Sequence, residues 1–359
     1  MKTVLTLLGT RPEIIKLSPL IPLIREQYRH ILVHSGQHYS FEMDELFFTE
    51  LGLPQPDHTL AVGSATHGEQ TARMLARLEP ILFAEQPDLV LVQGDTNTTL
   101  AGALCAAKLG IPVVHLEAGG RSFNRDMPEE LNRIVVDHIS ALLLAADEIA
   151  NRNLRNEGLP AERIRVIGSS VIDAVYRNRE RAAASDILTR LELATPYLVV
   201  TLHRSENTTA EQLPGMLRAL GAIATTRPLV FPLHPRTAAA MRQQGLDMPA
   251  AIRVCEPLGY LDTLKLVGNA EALLTDSGGL QEEAGALGVP TLILRKETEW
   301  RYLVEAGMHV LVGNTETSIR DGAQQWLQPA ALERLRAAQA PIWAGASERA
   351  LAAMQELIG

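Results

Sequence analysis

Short apolar runs alternate with amphipathic stretches along the whole chain. TVLTLL (3–8), ILVHS (31–35), LVLVQ (89–93) and PVVHL (112–116) are nearly unbroken runs of aliphatic residues. That is the pattern of strands covered on both faces in a parallel sheet. Between them the apolar positions recur at helical spacing. Pro12 predicts a helix running to about Gln27, and Thr66 with Glu69 predicts a capping box for a helix to about Glu85. A helix from Thr96 to Leu109 joins LVLVQ to PVVHL as a βαβ unit, and Pro128 opens another helix through about His138.

The rhythm restarts with YLVVTLH (197–203), PLVFPLH (228–234), IRVCEP (252–257), EALLTD (271–276) and TLILR (291–295). The fold class is therefore α/β, with two Rossmann-like, doubly wound halves that face each other across a cleft. A long helix near 171–194 is the candidate boundary. This gives a first domain over 1–170, a second over 171–340, and a C-terminal helix over 341–359 expected to pack back on the first domain.

The polar clusters all fall just past predicted strands: GTRPE, GDTNTT, EAGGRS, HRSEN, HPRT and DSGG. Open α/β sheets bind ligands at that edge. In TDSGGLQEE (275–283) two glycines open a helix start. Ser277 as an N-cap, with acids complementing the dipole, accounts for the stretch by itself. Free amides at a helix start also suit a phosphate, and the repeated placement at strand ends favours that reading. Arg11 and Lys16 are two cations at a helix start, where they oppose the dipole, so an anionic ligand gives them a purpose. Asp95 is explained equally by capping. Glu117 follows a buried strand beside Gly119 and Gly120, and a half-buried carboxylate there suits proton transfer. Glu129 sits at a helix start, where dipole stabilisation is the default. His203 with Arg204, and His234 with Arg236, suit pyrophosphate or substrate contacts.

Composition narrows the classes. The 359 residues are 46% hydrophobic, enough for two cores, and only 4% aromatic, too few for a stacking surface for single strands. A formal charge of −9 argues against nucleic-acid or anionic-membrane binding. Cys105 and Cys255, far apart in apolar segments, read as core thiols. There is no GxGxxG after the first strand, no P-loop, no GxSxG, and no HxH, HExxH or CxxC spacing, so neither dinucleotide nor metal is expected. The start lacks a signal-peptide profile and no apolar run has membrane-spanning length, so a cytoplasmic protein is expected.

Taken in order, GTRPE, GDT-x-TT, EAG-x-R, P-E-E-x-N-R, H-R-x-E-N, P-x-H-P and TDSGG-x-QEE resemble the non-hydrolysing UDP-N-acetylglucosamine 2-epimerases, from residue 2 to about 312. The resemblance implies the two-domain GT-B type fold and interconversion of UDP-GlcNAc and UDP-ManNAc without metal or other cofactor. The implied route eliminates UDP to a 2-acetamidoglucal and adds it back, as a step towards surface polysaccharide. It implies catalysis by Asp95, Glu117, Glu129 and His203. By the same resemblance Arg11 and Lys16 match residues that contact UDP-sugar, Ser277, Gly278 and Gly279 match a turn that binds diphosphate, and Glu283 matches a carboxylate that holds the ribose hydroxyls. Gln37, His38, Arg204 and His234 match positions tied, in bacterial members, to a second, activating UDP-GlcNAc. A homodimer is implied as well.

Position 300 is Trp where many bacterial members carry an Arg that contacts UDP. The stretches 35–48 and 121–130 resemble the archaeal-type subgroup and the epimerases of UDP-2,3-diacetamido-2,3-dideoxy-glucuronic acid. That uronate is the alternative substrate, and a GT-B glycosyltransferase is the alternative activity.

Overall fold

A computed structural model describes residues 1–37, 41–338 and 344–359. The chain divides into two compact units, Met1–Ala174 with Trp343–Gly359, and Val175–Ile342. The division falls inside the helix Ser170–Ala183.

Among the described residues the first unit holds seven parallel strands: β1 (Thr3–Leu8), β2 (Arg29–His34), β3 (His58–Thr59), β4 (Leu89–Gln93), β5 (Val113–Ala118), β6 (Leu142–Ala145) and β7 (Ile164–Val166). Their order is β3-β2-β1-β4-β5-β6-β7. All of β1 and β4 is buried, as expected of strands covered by helices on both faces. Leu5, Leu7, Val90 and Val92 pack on one side with Met74, Leu78 and Leu82 of the helix His67–Glu85. The strand order reverses between β1 and β4, which is where a ligand crevice forms in such a sheet.

The second unit repeats the plan with β8 (Leu198–Thr201), β9 (Leu229–Pro232), β10 (Ile252–Cys255), β11 (Ala272–Thr275), β12 (Thr291–Ile293) and β13 (His309–Leu311), in the order β10-β9-β8-β11-β12-β13. Its reversal lies between β8 and β11, the strands that end in HRSEN and DSGG. Phe231, Leu198, Val200 and Leu274 form its core with Met216, Leu220 and Ile223 of the helix Leu213–Ala224.

Several elements depart from the pattern-based reading. The helix expected from Pro12 to Gln27 is two, Arg11–Leu17 and Leu20–Gln27. Pro19 has no N–H for the carbonyl of Ile15, which accepts instead from the Ser18 amide (3.2 Å) and hydroxyl (2.8 Å). Thr66 stands at an N-cap, but the capping box does not form, because Glu69 pairs with Arg73 one turn on. The helix near 171–194 is Ser170–Ala183 followed by the short Ile187–Arg190. The Ala-rich end holds two helices, Pro329–Ala337 and Ala346–Ile358. The second belongs to the first unit, where Asp173 accepts the amides of Gly345 and Ser347, both at 2.7 Å, at its start. Among the described residues no helix is long and apolar enough to cross a membrane.

Candidate active site

Chemistry in the first unit gathers at the end of β1. Gly9 follows the strand with its Cα face against the end of β2. A Cβ there would stand 1.8 Å from the Ser35 hydroxyl and 2.6 Å from that of Thr98. Glu13, in the first turn of the next helix, points inward and is 1% exposed. It accepts from the Gly9 amide (2.8 Å) and the hydroxyls of Thr96 (2.7 Å) and Thr99 (3.3 Å). Burial pushes its carboxyl above the ordinary range, and these donors offset that only in part. Glu13 thus ties the loop after β1 to the loop after β4 across the switch point. The same short helix carries Arg11, whose guanidinium lies 5.5 Å from the centre of the Phe47 ring, and Lys16, which stands not at a helix start but in the last turn, because the helix ends at Leu17, and so does not oppose the dipole.

The Lys16 ammonium reaches Glu117, with Nζ 2.5 Å from Oε2, and Gln93 donates to the same oxygen. Glu117 has φ +72°, and the pairing of β5 with β6 shifts register between Leu116 and Ala118. A left-handed glutamate on a bulge re-aims its side chain at a cost of roughly 1–3 kcal/mol. A buried polar network holds the surroundings in place. Asp137 pairs with His115 (2.6 Å) and Arg121 (2.7 Å) and accepts the Gly119 amide (3.2 Å), while Arg121 also pairs with Glu157 at 2.7 Å. Burial would raise the Asp137 carboxyl, but the imidazole and guanidinium hold it below its ordinary value.

Arg133 joins two further carboxylates, Asp95 and Glu130, the latter at 3.1 Å. Asn132 donates to the Asp95 carbonyl at 2.9 Å. Glu130 is buried and accepts the amides of Ser122 and Phe123, both at 2.9 Å. Burial would raise its carboxyl, yet these amides and Arg133 bring it below the ordinary range. Its neighbour Glu129 is half-buried. Gln37 accepts from the Thr98 hydroxyl at 2.7 Å, and His38 lies outside the described residues.

In the second unit, Ser277 is the N-cap of the helix Gly278–Ala286, its Oγ accepting weakly from the Leu280 amide at 3.4 Å. The amides of Gly278 and Gly279 make no hydrogen bond among the described residues. A Cβ on Gly279 would meet nothing within 4 Å, and one on Gly278 would lie 3.3 Å from Arg204 Nη2 and 3.5 Å from the Trp300 indole nitrogen. The turn is therefore open to an anion, with a guanidinium beside it. Glu283 sits one turn further along and is buried. His203 and Arg204 follow β8, and both of their amides donate to the buried Asp276. The His203 and His234 rings are 5.1 Å apart, and His234 caps the helix Pro235–Gln244 by accepting the Arg236 amide at 3.1 Å. Arg204 lies 3.8 Å from Glu299, which Arg295 binds through both oxygens at 2.7 and 3.0 Å. Burial would raise the Glu299 carboxyl, but Arg295 and Arg204 hold it down to about 2.

A sequence profile described as UDP-N-acetylglucosamine 2-epimerase matches residues 23–355. The UDP-N-acetylglucosamine 2-epimerase of Methanococcus maripaludis is 43% identical over 333 residues, covering 90% of this chain and 91% of its own. The chain belongs to the UDP-N-acetylglucosamine 2-epimerase family. It is thereby an enzyme of the isomerase class. The UDP-2,3-diacetamido-2,3-dideoxy-D-glucuronate 2-epimerase of Pseudomonas aeruginosa is 41% identical over 329 residues, covering 89% of this chain and 91% of its own. The crystal structure of Methanocaldococcus jannaschii UDP-GlcNAc 2-epimerase in complex with UDP-GlcNAc and UDP superposes with a TM-score of 0.91 at 41% identity, covering 99% of this chain and 100% of that one.

Within this epimerase, Lys16 and Glu117 touch, and Arg204 stands beside Gly278. The His203 and His234 rings lie against one another tilted by 35°. Asp95 pairs with Arg133, and Glu129 is half-buried. Pattern reasoning gave no role to Glu13, Gln93, Arg133, Asp276 and Glu299, and read Glu130, like Glu129, only as an acid at a helix start. For Glu13, Gln93, Asp276 and Glu299 a signal was available: each is a polar residue placed within a few positions of a strand end, where burial demands a partner, whereas Glu130 and Arg133 lie inside the helix Pro128–Ile139.

Proposed function

We propose that this protein inverts C2 of UDP-N-acetylglucosamine to give UDP-N-acetylmannosamine, by eliminating UDP to 2-acetamidoglucal and adding it back. The observation that carries the reading is Glu117, a left-handed carboxylate on a bulge of β5, gripped by Lys16 and Gln93 from the adjoining switch point between β1 and β4. Relatives named for this reaction, at 43–45% identity, supply the substrate class.

The chemistry makes use of these groups. The C2 proton is not adjacent to a carbonyl, so direct removal at neutral pH is slow. Breaking the anomeric C–O bond first sends its electron pair to the β-phosphate and leaves positive charge at C1, which acidifies C2. A carboxylate then takes the proton, and delivery of a proton to the opposite face followed by attack of UDP on C1 gives the epimer. Asp95, Glu117 and Glu129 are assigned to proton transfer. Arg11, Lys16, His203 and the Ser277–Gly279 turn are assigned to the uridine diphosphate, and Glu283 to its ribose. Ionic and amide donors at the diphosphate stabilise charge that grows as the bond breaks. A homodimer, and activation through Gln37, Arg204 and His234 by a second UDP-GlcNAc, belong to the same reading. Sedimentation and the UDP-GlcNAc dependence of the reverse reaction test them.

The deciding experiment is an NMR time course with UDP-GlcNAc in deuterated water. Epimerisation with deuterium at C2 and no acceptor present is expected; a glycosyltransferase would incorporate none. A second reading takes the 2,3-diacetamido uronate, favoured by the Pseudomonas relative and by the exposed cations Arg125 and Arg301. Turnover of that uronate alone would overturn the first reading.

A further inference from the structure

Asp276 immediately precedes the Ser277–Gly279 turn and is fully buried. An isolated buried carboxylate is costly, and this one is surrounded by donors. Its two oxygens accept the His203 amide at 3.1 and 3.0 Å, the Arg204 amide at 2.9 Å and the Asn207 side-chain amide at 3.0 Å. The fourth partner is the His203 ring, with Nδ1 3.2 Å from Oδ1. Asn207 is locked in turn, donating to the Leu294 carbonyl at 3.1 Å and accepting from Asn314 at 2.9 Å. One carboxylate therefore fixes both the main chain of the HRSEN loop and the orientation of the histidine ring. The ring keeps 31% of its surface exposed. His234 lies beside the ring, Arg236 donates to the His203 carbonyl at 3.0 Å, and Arg295 is a further cation acting on Asp276.

We propose that Asp276 is a positioning residue: it holds the proton of His203 on Nδ1 and so reserves Nε2 for the departing uridine diphosphate. This rests on the reading of His203 as a diphosphate contact. An ionised carboxylate only accepts, so the nitrogen facing it must donate. Burial would push the Asp276 carboxyl up, but His203, the Arg204 amide and Asn207 bring it below its ordinary value, consistent with that role. When the anomeric bond breaks, its electron pair passes to a β-phosphate oxygen. The ring meets that oxygen through Nε2–H while Nδ1–H stays on Asp276. Both nitrogens carry a proton in that step, so the ring is the imidazolium and Asp276 its counter-charge; without Asp276 the ring is free to rotate and loses that partner, and Nε2–H is no longer held towards the diphosphate even though the turn is intact. The arrangement has the logic of a carboxylate that orients a catalytic imidazole.

Two measurements test this. The first is the nitrogen NMR spectrum of wild-type protein labelled at histidine, with His203 assigned by comparison with His203→Asn. Neutral His203 is expected with Nδ1 protonated, and addition of UDP is expected to protonate Nε2 as well. Neutral His203 protonated on Nε2 would overturn the proposal, and this spectrum needs no Asp276 variant to fold. The second is a double-mutant cycle with His203→Asn and Asp276→Asn. Asp276→Asn is expected to lower kcat about a hundredfold while KM changes by less than about threefold. In the His203→Asn background it should have no further effect on kcat. Independent, multiplying losses in kcat would mean that Asp276 acts through the fold and not through His203, and would overturn the inference. Failure of the wild type to epimerise UDP-GlcNAc would instead refute the substrate reading. The tautomer and its response to UDP would still decide the role of Asp276.

Discussion

The sharpest handle on the diphosphate turn is Gly279→Ala. Gly279 is the second residue of the helix Gly278–Ala286 and its φ is not left-handed. An added Cβ would meet nothing within 4 Å, so the free protein has room for it. Alanine is the better helix former by up to about 1 kcal/mol in a helix interior, and by less in the first turn. The variant is therefore expected to be as stable as the wild type or slightly more so. The cost falls on the ligand. Helix Cβ atoms tilt towards the N-terminus, which here is the side from which an anion approaches the free amides of Gly278 and Gly279. Displacing a phosphate oxygen from one charge-assisted amide contact costs roughly 1.5–3 kcal/mol, or about ten- to a hundredfold in affinity.

Titration calorimetry with UDP, paired with thermal unfolding, reads both effects. Weaker UDP binding with an unchanged or raised Tm is the expected result. Uridine serves as the control, since it has no phosphate to displace and should bind the two proteins equally. UDP affinity within twofold of wild type would refute the assignment of this turn to the diphosphate. A Tm that falls with the affinity would refute the claim that the added methyl stands in open space.

Three further outcomes follow from the same geometry. Glu299 titrates near 2 when folded against an ordinary 4.5, so its stabilising contribution is present above about 4.5 and is lost as pH falls towards 2. That difference is worth at most about 3 kcal/mol, so urea unfolding from pH 5 to 3 should show the wild type losing stability faster than Glu299→Gln; equal slopes would refute it. Gly119→Ala should cost about 2 kcal/mol or more, because at φ +81° its Cβ would lie 2.4 Å from the Ala150 carbonyl, whereas Gly120→Ala, with nothing within 4 Å, should leave Tm unchanged. Glu13→Gln replaces an acceptor of three donors by a group that must turn an NH2 towards one of them, so a loss of about 1–3 kcal/mol is expected by urea unfolding, and an unchanged midpoint would show the contacts to be dispensable.

The central strands were legible because they are covered on both faces: β1, β4, β8 and β11 are apolar runs whose pattern leaves no other reading. The strands passed over are the short β3, β6, β7 and β13, of two to four residues, where a run such as LLLA or HVL carries too little periodicity to identify. Helix ends were misjudged where a side chain had a better partner elsewhere. Glu69 satisfies Arg73 instead of closing a capping box, and Pro19 splits a helix whose apolar face runs on past it. The candidate groups were legible in kind, as polar residues at strand ends. Their pairing was not, because Lys16 and Glu117 are separated by most of the first sheet in sequence and meet only through its topology.

The groups that pairing left out share a physical character. Glu13, Glu130, Asp137 and Asp276 are each at most 1% exposed, and each gathers main-chain amides from the loop that bears a candidate group. The candidate groups themselves stay partly open: Glu117 is 27% exposed and Glu129 is half-buried. A reacting side chain must reach ligand and solvent, so it cannot be fixed by its own burial. Its loop is fixed instead, by an acid one layer down whose charge the loop amides and nearby cations satisfy. Exposed acids at strand ends therefore mark where a ligand is met, and buried acids among amides mark what holds that surface still. Both signals lie in the same motifs, GTRPE, PEE and TDSGG, which is why a motif read only for its exposed members yields half of the site.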